Sequence, residues 1–422
     1  MRVVGLIFLL IFSCAVQAQL PASVKTTPIK SLNLKPVPIE IPEQFKGLIE
    51  PKTVNLPDGW KAKVFYIGGN GQPKLEKPRF MAFSPDSVIH IANKNSGEIL
   101  ALRDQDGDGV ADEARIVADK LNEPHDVAFY RGAMYVTEQR RVWKLEDADK
   151  DGVYESRTIF INNIASGAKQ PGGGHDTRSI AFDEKNQKVY LSIGSLCNVC
   201  REDFRAVVEQ YGIDGKNRCI YATGARNAVG LTVHPRTHQL WATNNGSDNQ
   251  GNDIPPEWID LVRDGGFYGY PFAYAHGVYF DFEKGSGDYK RVLPITKEDS
   301  AQVRKMVQPA ALVQAHSALM AIEFANESFP KDFQHGAFVA YRGSWNRNPA
   351  TGYKVVYLDL ESDQDTTASS VSDFLTGFVP KYEGARPDRW ARPVGLLTDK
   401  RGRLFVGSDE STHVILCIYP TK

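Results

Sequence analysis

One pattern recurs along the chain and constrains its fold more than any other feature. Each copy begins with a polar residue, continues as a short strand of small and apolar residues, turns, and returns as a second apolar strand. The six copies begin at Arg79, His125, Arg178, Asn227, His316 and Arg392. The first four are spaced by roughly 45–50 residues, which is the blade period of a β-propeller. The repeat therefore predicts an all-β chain folded as a six-bladed β-propeller.

Further strands and long loops complete the predicted blades. Alternating segments typical of a third blade strand occur at 99–102, 142–145, 353–357 and 414–418. The later copies are spaced more widely, which predicts loops inserted after the fourth and fifth blades. Loops on a rigid scaffold often carry binding function, so we expect substrate selection to depend on residues 248–310 and 362–388.

The N-terminal region differs from the repeats. Residues 1–18 have the features of a secretory signal peptide: a basic start, a short apolar run and small residues before the cleavage site. A lipid-modified Cys14 is the alternative, although the residues before it match that signal poorly. Residues 19–50 are rich in Pro and Lys and predict a tether that wraps the surface or stays mobile. The propeller domain is then expected to occupy residues 51–422.

These features bear on where the protein acts and what it binds. The signal peptide predicts a periplasmic or secreted protein. No later segment has the apolar length needed to span a bilayer. A net charge of −1 gives the whole chain no field that would recruit nucleic acid or acidic lipid.

Four cysteines remain after the predicted cleavage. Cys197 and Cys200 form a C-x-x-C pair that lacks both the following His of a haem site and the second pair of a zinc site. Because export permits disulfides, we expect a local bridge there. Cys219 and Cys417 lie in strand-like apolar runs and are expected to be buried thiols.

The residues that open the six copies predict a binding site. In a propeller the first strand of each blade lines the central channel, so these mostly cationic residues, Arg178 among them, would surround the channel mouth. Unpaired cations there would be costly to bury. An anionic ligand would account for them; the alternative is that they bond to one another or to water in the channel.

Two motifs add chemistry to this mouth. His175 follows three glycines and precedes the third inner strand, where an imidazole can accept a proton near neutral pH. Arg226 and Asn227 open the fourth inner strand and offer a rigid fork of donors beside an amide.

A third motif is the turn at 244–248, whose Gly246 and Ser247 carbonyls could coordinate Ca²⁺. In the last two blades Arg342, Arg347, Trp390 and Arg392 supply cations and an indole that could neutralise and stack a planar cofactor.

Two acidic loops follow a D-x-D-x-D-G pattern that is typical of Ca²⁺ binding, although neither has a Glu at the twelfth position. The expected ligands are Asp104, Asp106, Asp108 and Asp112 in the first loop, and Asp147, Asp149, Asp151 and Glu155 in the second. We expect structural Ca²⁺ ions at the edges of two blades; solvated turns without metal are the alternative.

Together these motifs resemble the glucose/sorbosone dehydrogenase family, whose members use pyrroloquinoline quinone (PQQ). The resemblance extends from about residue 56 to the C-terminus. Its most specific pieces are C-N-V-C at 197–200, G-x-R-N at 224–227, G-S-W-N-R at 343–347 and R-P-V-G at 392–395.

The resemblance implies PQQ lying across the channel mouth with one Ca²⁺, held by Arg226, Asn227 and Arg392. It implies that His175 takes the proton of a sugar C1 hydroxyl while hydride passes to the quinone, and that a periplasmic cytochrome or a quinone accepts the electrons. The Gly246 and Ser247 carbonyls match the family's calcium ligands.

The sequence departs from that family in two places. Ser195 stands where the soluble glucose dehydrogenases have the Asp that orients the catalytic His, with Asp176 or a loop acid as possible replacements. Arg342, Arg347 and Lys354 stand in place of a quinone-binding lysine. Two alternatives to an aldose dehydrogenase are a calcium-dependent lactonase, which the cationic ring argues against, and a non-catalytic propeller that binds glycans or a partner protein.

Overall fold

The computed structural model describes residues 19–167, 173–284 and 287–421. The predicted signal peptide and Cys14 lie outside these residues. Six antiparallel sheets form the six blades of a β-propeller, which confirms the predicted fold class. The inner strands begin within two residues of five of the six predicted openings, and three residues after His316 in the fifth.

The strands follow the chain blade by blade. The first three are β1 (Lys35–Glu40), β2 (Thr53–Leu56) and β3 (Trp60–Tyr66). Blade 1 contains β4 (Pro78–Phe83), β5 (Ile89–Asn93), β6 (Glu98–Arg103) and β7 (Glu113–Ala118). Blade 2 contains β8 (Val127–Tyr130), β9 (Ala133–Thr137), β10 (Val142–Glu146) and β11 (Ser156–Ile161). Blade 3 contains β12 (Ile180–Asp183), β13 (Lys188–Ile193), β14 (Val207–Gly212) and β15 (Cys219–Thr223).

The long insertion predicted after blade 4 lies within that blade instead, between its third and fourth strands. That blade begins with β16 (Ala228–Val233), β17 (Leu240–Asn244) and β18 (Glu257–Leu261). The insertion holds β19 (Gly266–Phe267), β20 (Ala273–Tyr274), β21 (Val278–Tyr279) and the helix α1 (Lys297–Arg304), and it ends in the outer strand β22 (Ala311–Val313). Blade 5 contains β23 (Leu319–Phe324), β24 (Gly336–Tyr341), β25 (Lys354–Asp359) and β26 (Ser370–Leu375). Blade 6 contains β27 (Ala391–Thr398), β28 (Leu404–Ser411) and β29 (Val414–Pro420). Short 3-10 turns occupy Glu43–Phe45, Tyr289–Val292 and Lys331–Phe333.

The ring is closed by an early strand pairing with the last one. β3 runs antiparallel to β29, from Tyr66 opposite Ile415 to Trp60 opposite Pro420, and so becomes the outer strand of blade 6. Phe65 is fully buried, and its ring lies edge-on to that of Phe405 with 4.9 Å between centroids. Closure satisfies the backbone groups of β29 that would otherwise form an open sheet edge.

Neighbouring blades are joined by side-chain hydrogen bonds from the second strand of one blade to the inner-strand region of the next. The Thr137 hydroxyl of blade 2 donates to the Arg178 carbonyl of blade 3 at 2.6 Å. The Thr243 hydroxyl of blade 4 donates to the Met320 carbonyl of blade 5 at 2.7 Å. These bonds fix the positions at which the inner strands begin, and therefore the geometry of the channel mouth.

The segment 19–50, predicted as a tether, wraps the outer strands. The Thr27 N–H donates to the Leu312 carbonyl of blade 4 at 2.8 Å, and the Lys30 N–H donates to the Val371 carbonyl of blade 5 at 3.1 Å. β1 then pairs with both β2 and β3. The folded unit thus begins before residue 51, because the edges of the outer strands offer unpaired backbone groups that this segment satisfies.

The cysteines follow the sequence prediction in part. Cys197 and Cys200 form a disulfide, and Cys417 is a buried thiol as expected. Cys219 is exposed, so its predicted burial was wrong; it lies on β15, where Ile220 is also exposed. None of the helices in the described part of the chain is long and apolar enough to cross a membrane.

The closure of the ring makes a stability prediction. Phe65→Ala should lower the free energy of unfolding by about 3–5 kcal/mol, because it removes a buried ring and leaves a cavity. Phe65→Leu retains most of the apolar volume and should cost clearly less. Urea unfolding followed by tryptophan fluorescence measures both; a loss below about 1 kcal/mol for the alanine variant would show that closure does not depend on this contact.

Candidate active site at the channel mouth

Topology brings two sets of residues to one end of the channel. The four strands of a blade alternate in direction, so the start of the first strand and the end of the second lie at the same end. The predicted inner-strand openings form one set. The second set consists of residues at or just after the end of the second strand of each blade, which the repeat analysis did not consider. It includes Lys94, Ser195, Asn245, Arg342 and Asp409.

His175 is held by the backbone of the loop after β13. Its Nδ1 lies 2.9 Å from the Ser195 carbonyl and 3.0 Å from the Ser195 hydroxyl, which itself donates to the Cys197 carbonyl at 2.8 Å. A carbonyl can only accept, so Nδ1 carries the proton and Nε2 keeps a free lone pair. Burial, with the nearby positive charge of Arg226, lowers the pKa of His175 from 6.5 to about 3. The ring is therefore neutral near pH 7.

No carboxylate hydrogen-bonds to His175 among the described residues. Asp176, the predicted replacement, lies 3.0 Å from the Lys94 ammonium instead. The Ser195 carbonyl thus performs the orienting role for which the sequence had suggested a carboxylate.

Arg178 binds the loop of His175, its Nε and Nη2 have no hydrogen-bond partner among the described residues, and its contact with a cofactor stays a prediction. Arg178 is fully buried, and its Nη1 donates to the carbonyls of His175 and Thr177 at 2.8 and 2.7 Å. Arg205, which the motif search missed, donates to the Gly173, His175 and Ser195 carbonyls. Both guanidinium groups support the His175 loop by donating hydrogen bonds to backbone carbonyls that have no strand partner.

Arg226 lies on the blade 4 side of the mouth. Its Nε donates to the Asn198 carbonyl at 2.9 Å, and its Nη2 lies 3.7 Å from the Asp248 carboxylate. Asn227 follows it, and its backbone N–H donates to the Asn244 side chain at 2.9 Å. Both predicted residues therefore stand close to His175, next to the disulfide loop.

The turn predicted to bind Ca²⁺ already has hydrogen-bond partners at Gly246 and at the Ser247 hydroxyl, and calcium binding there stays a prediction. The Gly246 carbonyl accepts a hydrogen bond from Nη1 of Arg226 at 2.6 Å. The Ser247 hydroxyl accepts one from Tyr289 at 2.9 Å. A guanidinium thus stands against the carbonyl predicted to bind Ca²⁺, and the two cations would repel each other.

The mouth cations on the blade 6 side are largely paired, contrary to the prediction of an unpaired ring. Four guanidinium groups share two carboxylates at the end of β28. The four are Arg79, Arg342, Arg389 and Arg392, around Asp409 and Glu410. Burial alone would raise the pKa of Glu410, but the adjacent guanidinium groups lower it to about 2. Both acids are therefore ionised, and the cluster keeps two positive charges in excess.

This excess is the feature that fits an anionic cofactor. Arg79 and Arg392 are nearly buried, with side chains 6% and 7% exposed, so their charge is poorly screened by water. Arg79 also contacts Nδ1 of His125 at 3.2 Å. A polycarboxylate such as PQQ would balance the charge that Asp409 and Glu410 leave uncompensated.

Two further predicted cofactor residues have structural partners. Arg347 donates to the Asn252 carbonyl and to Asp253 at 3.1 and 3.0 Å, which ties blade 5 to the blade 4 loop. Trp390 donates to the Gly377 carbonyl at 2.8 Å, and its ring packs on Phe378. The indole is partly buried against the apolar core, and its stacking on a cofactor stays a prediction.

His316, the alternative base, is less available than His175. Its Nε2 lies 2.9 Å from the Gly251 carbonyl, which engages that nitrogen as a donor. Its Nδ1 is 3.8 Å from Asp248. His175 is thus the better placed of the two histidines to accept a proton.

The acidic loops lie at the opposite end of the propeller, since each joins the third strand of its blade to the fourth. Asp104, Asp106 and Asp108 bring ligand oxygens within 4.8 Å of one another, as do Asp147, Asp149 and Glu155. Asp112 and Asp151 instead accept hydrogen bonds from the backbone of their own loops. Bound calcium in either loop stays a prediction.

The fold and the basic, histidine-bearing mouth define a class: β-propellers whose channel mouth can hold an anionic ligand and also carries a proton acceptor. A family model described as TrAA12-like matches residues 54–420. The chain belongs to this family of pyrroloquinoline quinone-dependent oxidoreductases and is an enzyme of that class. The resemblance inferred from the motifs is confirmed.

Individual relatives agree with this assignment. An uncharacterized protein of Borreliella burgdorferi is 25% identical over 375 residues, which cover 87% of this chain and 91% of that protein. The pyrroloquinoline quinone-dependent pyranose dehydrogenase of Coprinopsis cinerea is 29% identical over 248 residues, or 50% of this chain and 32% of that enzyme. The match therefore spans about a third of the length of the Coprinopsis enzyme.

Solved structures show the same fold. The calcium structure of the Trichoderma reesei carbohydrate-active enzyme of family AA12 has a TM-score of 0.70 at 20% identity, covering 86% of this chain and 96% of that one. The holo form of the Coprinopsis cinerea pyranose dehydrogenase PQQ domain has a TM-score of 0.68 at 19% identity, covering 90% and 98%.

The contacts between Nδ1 of His175 and Ser195 lead to a prediction about the pKa of His175. Ser195→Asp places a carboxylate at Nδ1 and should raise the pKa of His175 by about 1 to 3, since an adjacent opposite charge favours the imidazolium. Ser195→Asn is the uncharged control of similar shape. NMR titration of the ring in quinone-free protein measures both; equal titration of the two variants would contradict the proposed geometry.

The acidic loops make a second prediction. If they hold Ca²⁺, a chelator should lower the melting temperature, because an ion at a hundred times its Kd stabilises the fold by about 2.7 kcal/mol per site. The Asp106→Asn/Asp149→Asn double variant should melt at one temperature with or without chelator. A wild-type protein that ignores the chelator would identify both loops as solvated turns.

Proposed function

We propose that the protein oxidises an aldose or sugar aldehyde at the channel mouth, with PQQ as its cofactor. The observation that carries the proposal is that His175, with Nδ1 engaged as a donor and Nε2 free, lies at the same end of the channel as a cluster that holds two positive charges in excess. The family assignment and the names of the relatives supply the cofactor and the substrate class.

In this proposal each residue has a defined task. Arg226, Arg342 and Arg392, with Asn227, bind and orient the cofactor's carboxylates and carbonyls. His175 accepts the C1 hydroxyl proton at Nε2, while the Ser195 carbonyl holds Nδ1. Arg178 and Arg205 keep the His175 loop in place. When bound, the quinone supplies a two-electron acceptor for hydride.

Several finer points belong to the same proposal. Calcium is assigned to the acidic loops, where three ligand oxygens of each loop lie within 4.8 Å of one another. Substrate selection is assigned to the insertion at 248–310, which Tyr289 ties to the mouth through the Asp248 carbonyl at 2.8 Å. We further propose that the protein is exported, with a periplasmic cytochrome or a quinone taking the electrons. The lactonase alternative has no support from this mouth, which presents guanidinium groups rather than a ring of carboxylates.

Kinetics and cofactor binding test these assignments separately. His175→Ala should lower kcat by about 10²–10⁴ at saturating PQQ, as expected for loss of a general base, with little change in PQQ affinity. Arg226→Ala should weaken PQQ binding first, because it removes a charged partner from the cofactor. Dye reduction over a panel of aldoses gives kcat, and quenching of tryptophan fluorescence gives the PQQ Kd.

His316→Ala is the comparison variant, since it removes the other mouth histidine. Loss of kcat in His316→Ala with near-normal kcat in His175→Ala would reassign the base. Absence of PQQ binding to wild-type protein would overturn the proposed function itself.

A further inference from the structure

The loop between β13 and β14 carries a disulfide that the proposed function does not use. Residues 194–206 contain no strand or helix, so no ladder of backbone hydrogen bonds fixes their path. Within them the Cys197–Cys200 disulfide closes a short ring that contains Asn198 and Val199. Val199 is fully buried, whereas both cysteines are partly exposed.

Asn198 binds the guanidinium group of Arg226 at two points. Nε of Arg226 donates to the Asn198 carbonyl at 2.9 Å, and Nη2 donates to Oδ1 of the Asn198 side chain at 3.2 Å. A guanidinium group is planar, so two acceptors along one edge determine its orientation. The side chain of Arg226 is only 7% exposed. Asn198 therefore sets the direction in which this nearly buried charge faces.

The same amide ties the disulfide loop to the turn of blade 4. Oδ1 of Asn198 accepts a hydrogen bond from the Asp248 N–H at 2.7 Å, and its Nδ2 donates to the Asp248 carbonyl at 3.2 Å. The Asp248 carboxylate in turn accepts a hydrogen bond from the Asn346 side chain of blade 5 at 2.6 Å. A single side chain thus joins blades 3 and 4 at the mouth and, through Asp248, blade 5.

The loop also contacts the residue that orients His175. The Ser195 hydroxyl donates to the Cys197 carbonyl at 2.8 Å, and the Ser195 carbonyl lies 2.9 Å from Nδ1 of His175. Cys197 and Asn198 are adjacent, so one dipeptide positions both the histidine and Arg226. Movement of this dipeptide would disturb both groups.

Other contacts hold the chain on either side of this dipeptide. Glu202 accepts a hydrogen bond from the Leu196 N–H at 2.5 Å, and the Tyr270 hydroxyl accepts one from the Cys200 N–H at 3.1 Å. These contacts fix the residues before and after the dipeptide, whereas the disulfide restrains the dipeptide itself.

We propose that the Cys197–Cys200 disulfide loop is a positioning element of the channel mouth, with Asn198 as its positioning residue. The intact disulfide keeps Asn198 where it orients Arg226 towards the carboxylates of the cofactor, and it keeps the Cys197 carbonyl against Ser195. Opening the disulfide lets the dipeptide move and releases the guanidinium group. The part of the cofactor in this inference rests on the proposed function; the contacts of the loop with Arg226 and Ser195 do not.

The test opens the disulfide in two ways. Cys197→Ser/Cys200→Ser cannot form the S–S bond. In the wild type, a dithiol reduces the bond by exchange, which leaves two cysteine thiols and converts the reductant to a disulfide. Affinity for PQQ is measured only in the serine variant, because thiols add to quinones. The pKa of His175 is measured by NMR in both samples without quinone, so that this measurement does not depend on the proposed function.

We expect the serine variant to bind PQQ at least about tenfold more weakly, as for the loss of one charge-assisted hydrogen bond. The pKa of His175 should rise in both samples, because burial and the nearby charge of Arg226 lower it to about 3 in the intact protein. Asn198→Ala should weaken PQQ binding by about two- to tenfold. In an Arg226→Ala background it should have no further effect, since Asn198 acts through Arg226.

Two variants serve as controls. Cys219→Ser removes the exposed free thiol of blade 3 and should change neither PQQ affinity nor the pKa of His175. Leu145→Ala leaves a cavity at a fully buried position in the third strand of blade 2. It should lower the melting temperature without changing the other two measurements.

A serine variant with unchanged PQQ affinity and unchanged pKa of His175, and only a lower melting temperature, would overturn the proposal and leave the disulfide a structural cross-link. An effect of Asn198→Ala that persists in the Arg226→Ala background would also overturn it. Should the serine variant fail to fold, reduced wild type and Asn198→Ala give the same two measurements. Absence of PQQ binding to wild type would overturn the proposed function instead, and the pKa of His175 would still test the loop.

Discussion

The pairing of β3 with β29 is the constraint on which the rest of the structure depends. A propeller blade contacts only its neighbours, so an open ring would leave the faces of blades 1 and 6 exposed and the mouth incomplete. The pairing brings Arg79 of blade 1 against Asp409 of blade 6. Closure of the ring therefore also assembles the basic mouth. The N-terminal segment 19–50 likewise pairs with the outer strands of blades 4 to 6 and satisfies their backbone groups.

Charge distribution at the mouth follows from this closure. Asp409 and Glu410 make the burial of several arginines tolerable, since removing cations from water without partners would cost several kcal/mol each. They do not neutralise the cluster, however. A site that is folded and still carries an excess of positive charge is prepared for an anion without depending on it for stability.

The sequence predicted the fold well because the repeat records the period of the blades directly. It located His175, Arg226, Asn227, Arg342 and Arg392 for the same reason: their positions relative to a strand decide where they lie. It did not reveal that Arg178 also binds the His175 loop or that the Trp390 indole packs on Phe378, because the direction in which a side chain turns depends on tertiary packing. The sequence analysis missed Asp409 and Glu410, which lie at the end of the second strand of blade 6, as Arg342 does in blade 5. A comparison of the six copies at the ends of their second strands would have found them. The path of residues 19–50 over the outer strands could not be predicted, because single backbone groups make its hydrogen bonds and the sequence there shows no periodic pattern of apolar residues.

The environment of His175 suggests how the base and the cofactor site depend on each other. With no carboxylate at Nδ1, the low pKa of this ring is caused by burial and by the charge of Arg226. In the proposed function Arg226 also faces an anion. An anion bound there would offset the guanidinium field, and the pKa of His175 would rise towards its ordinary value. A stronger base would then be present only when the electron acceptor is bound, whereas a histidine paired with an aspartate would be basic at all times. In the proposed function, Ser195 in place of that aspartate would leave the basicity of His175 to be set by the bound ligand.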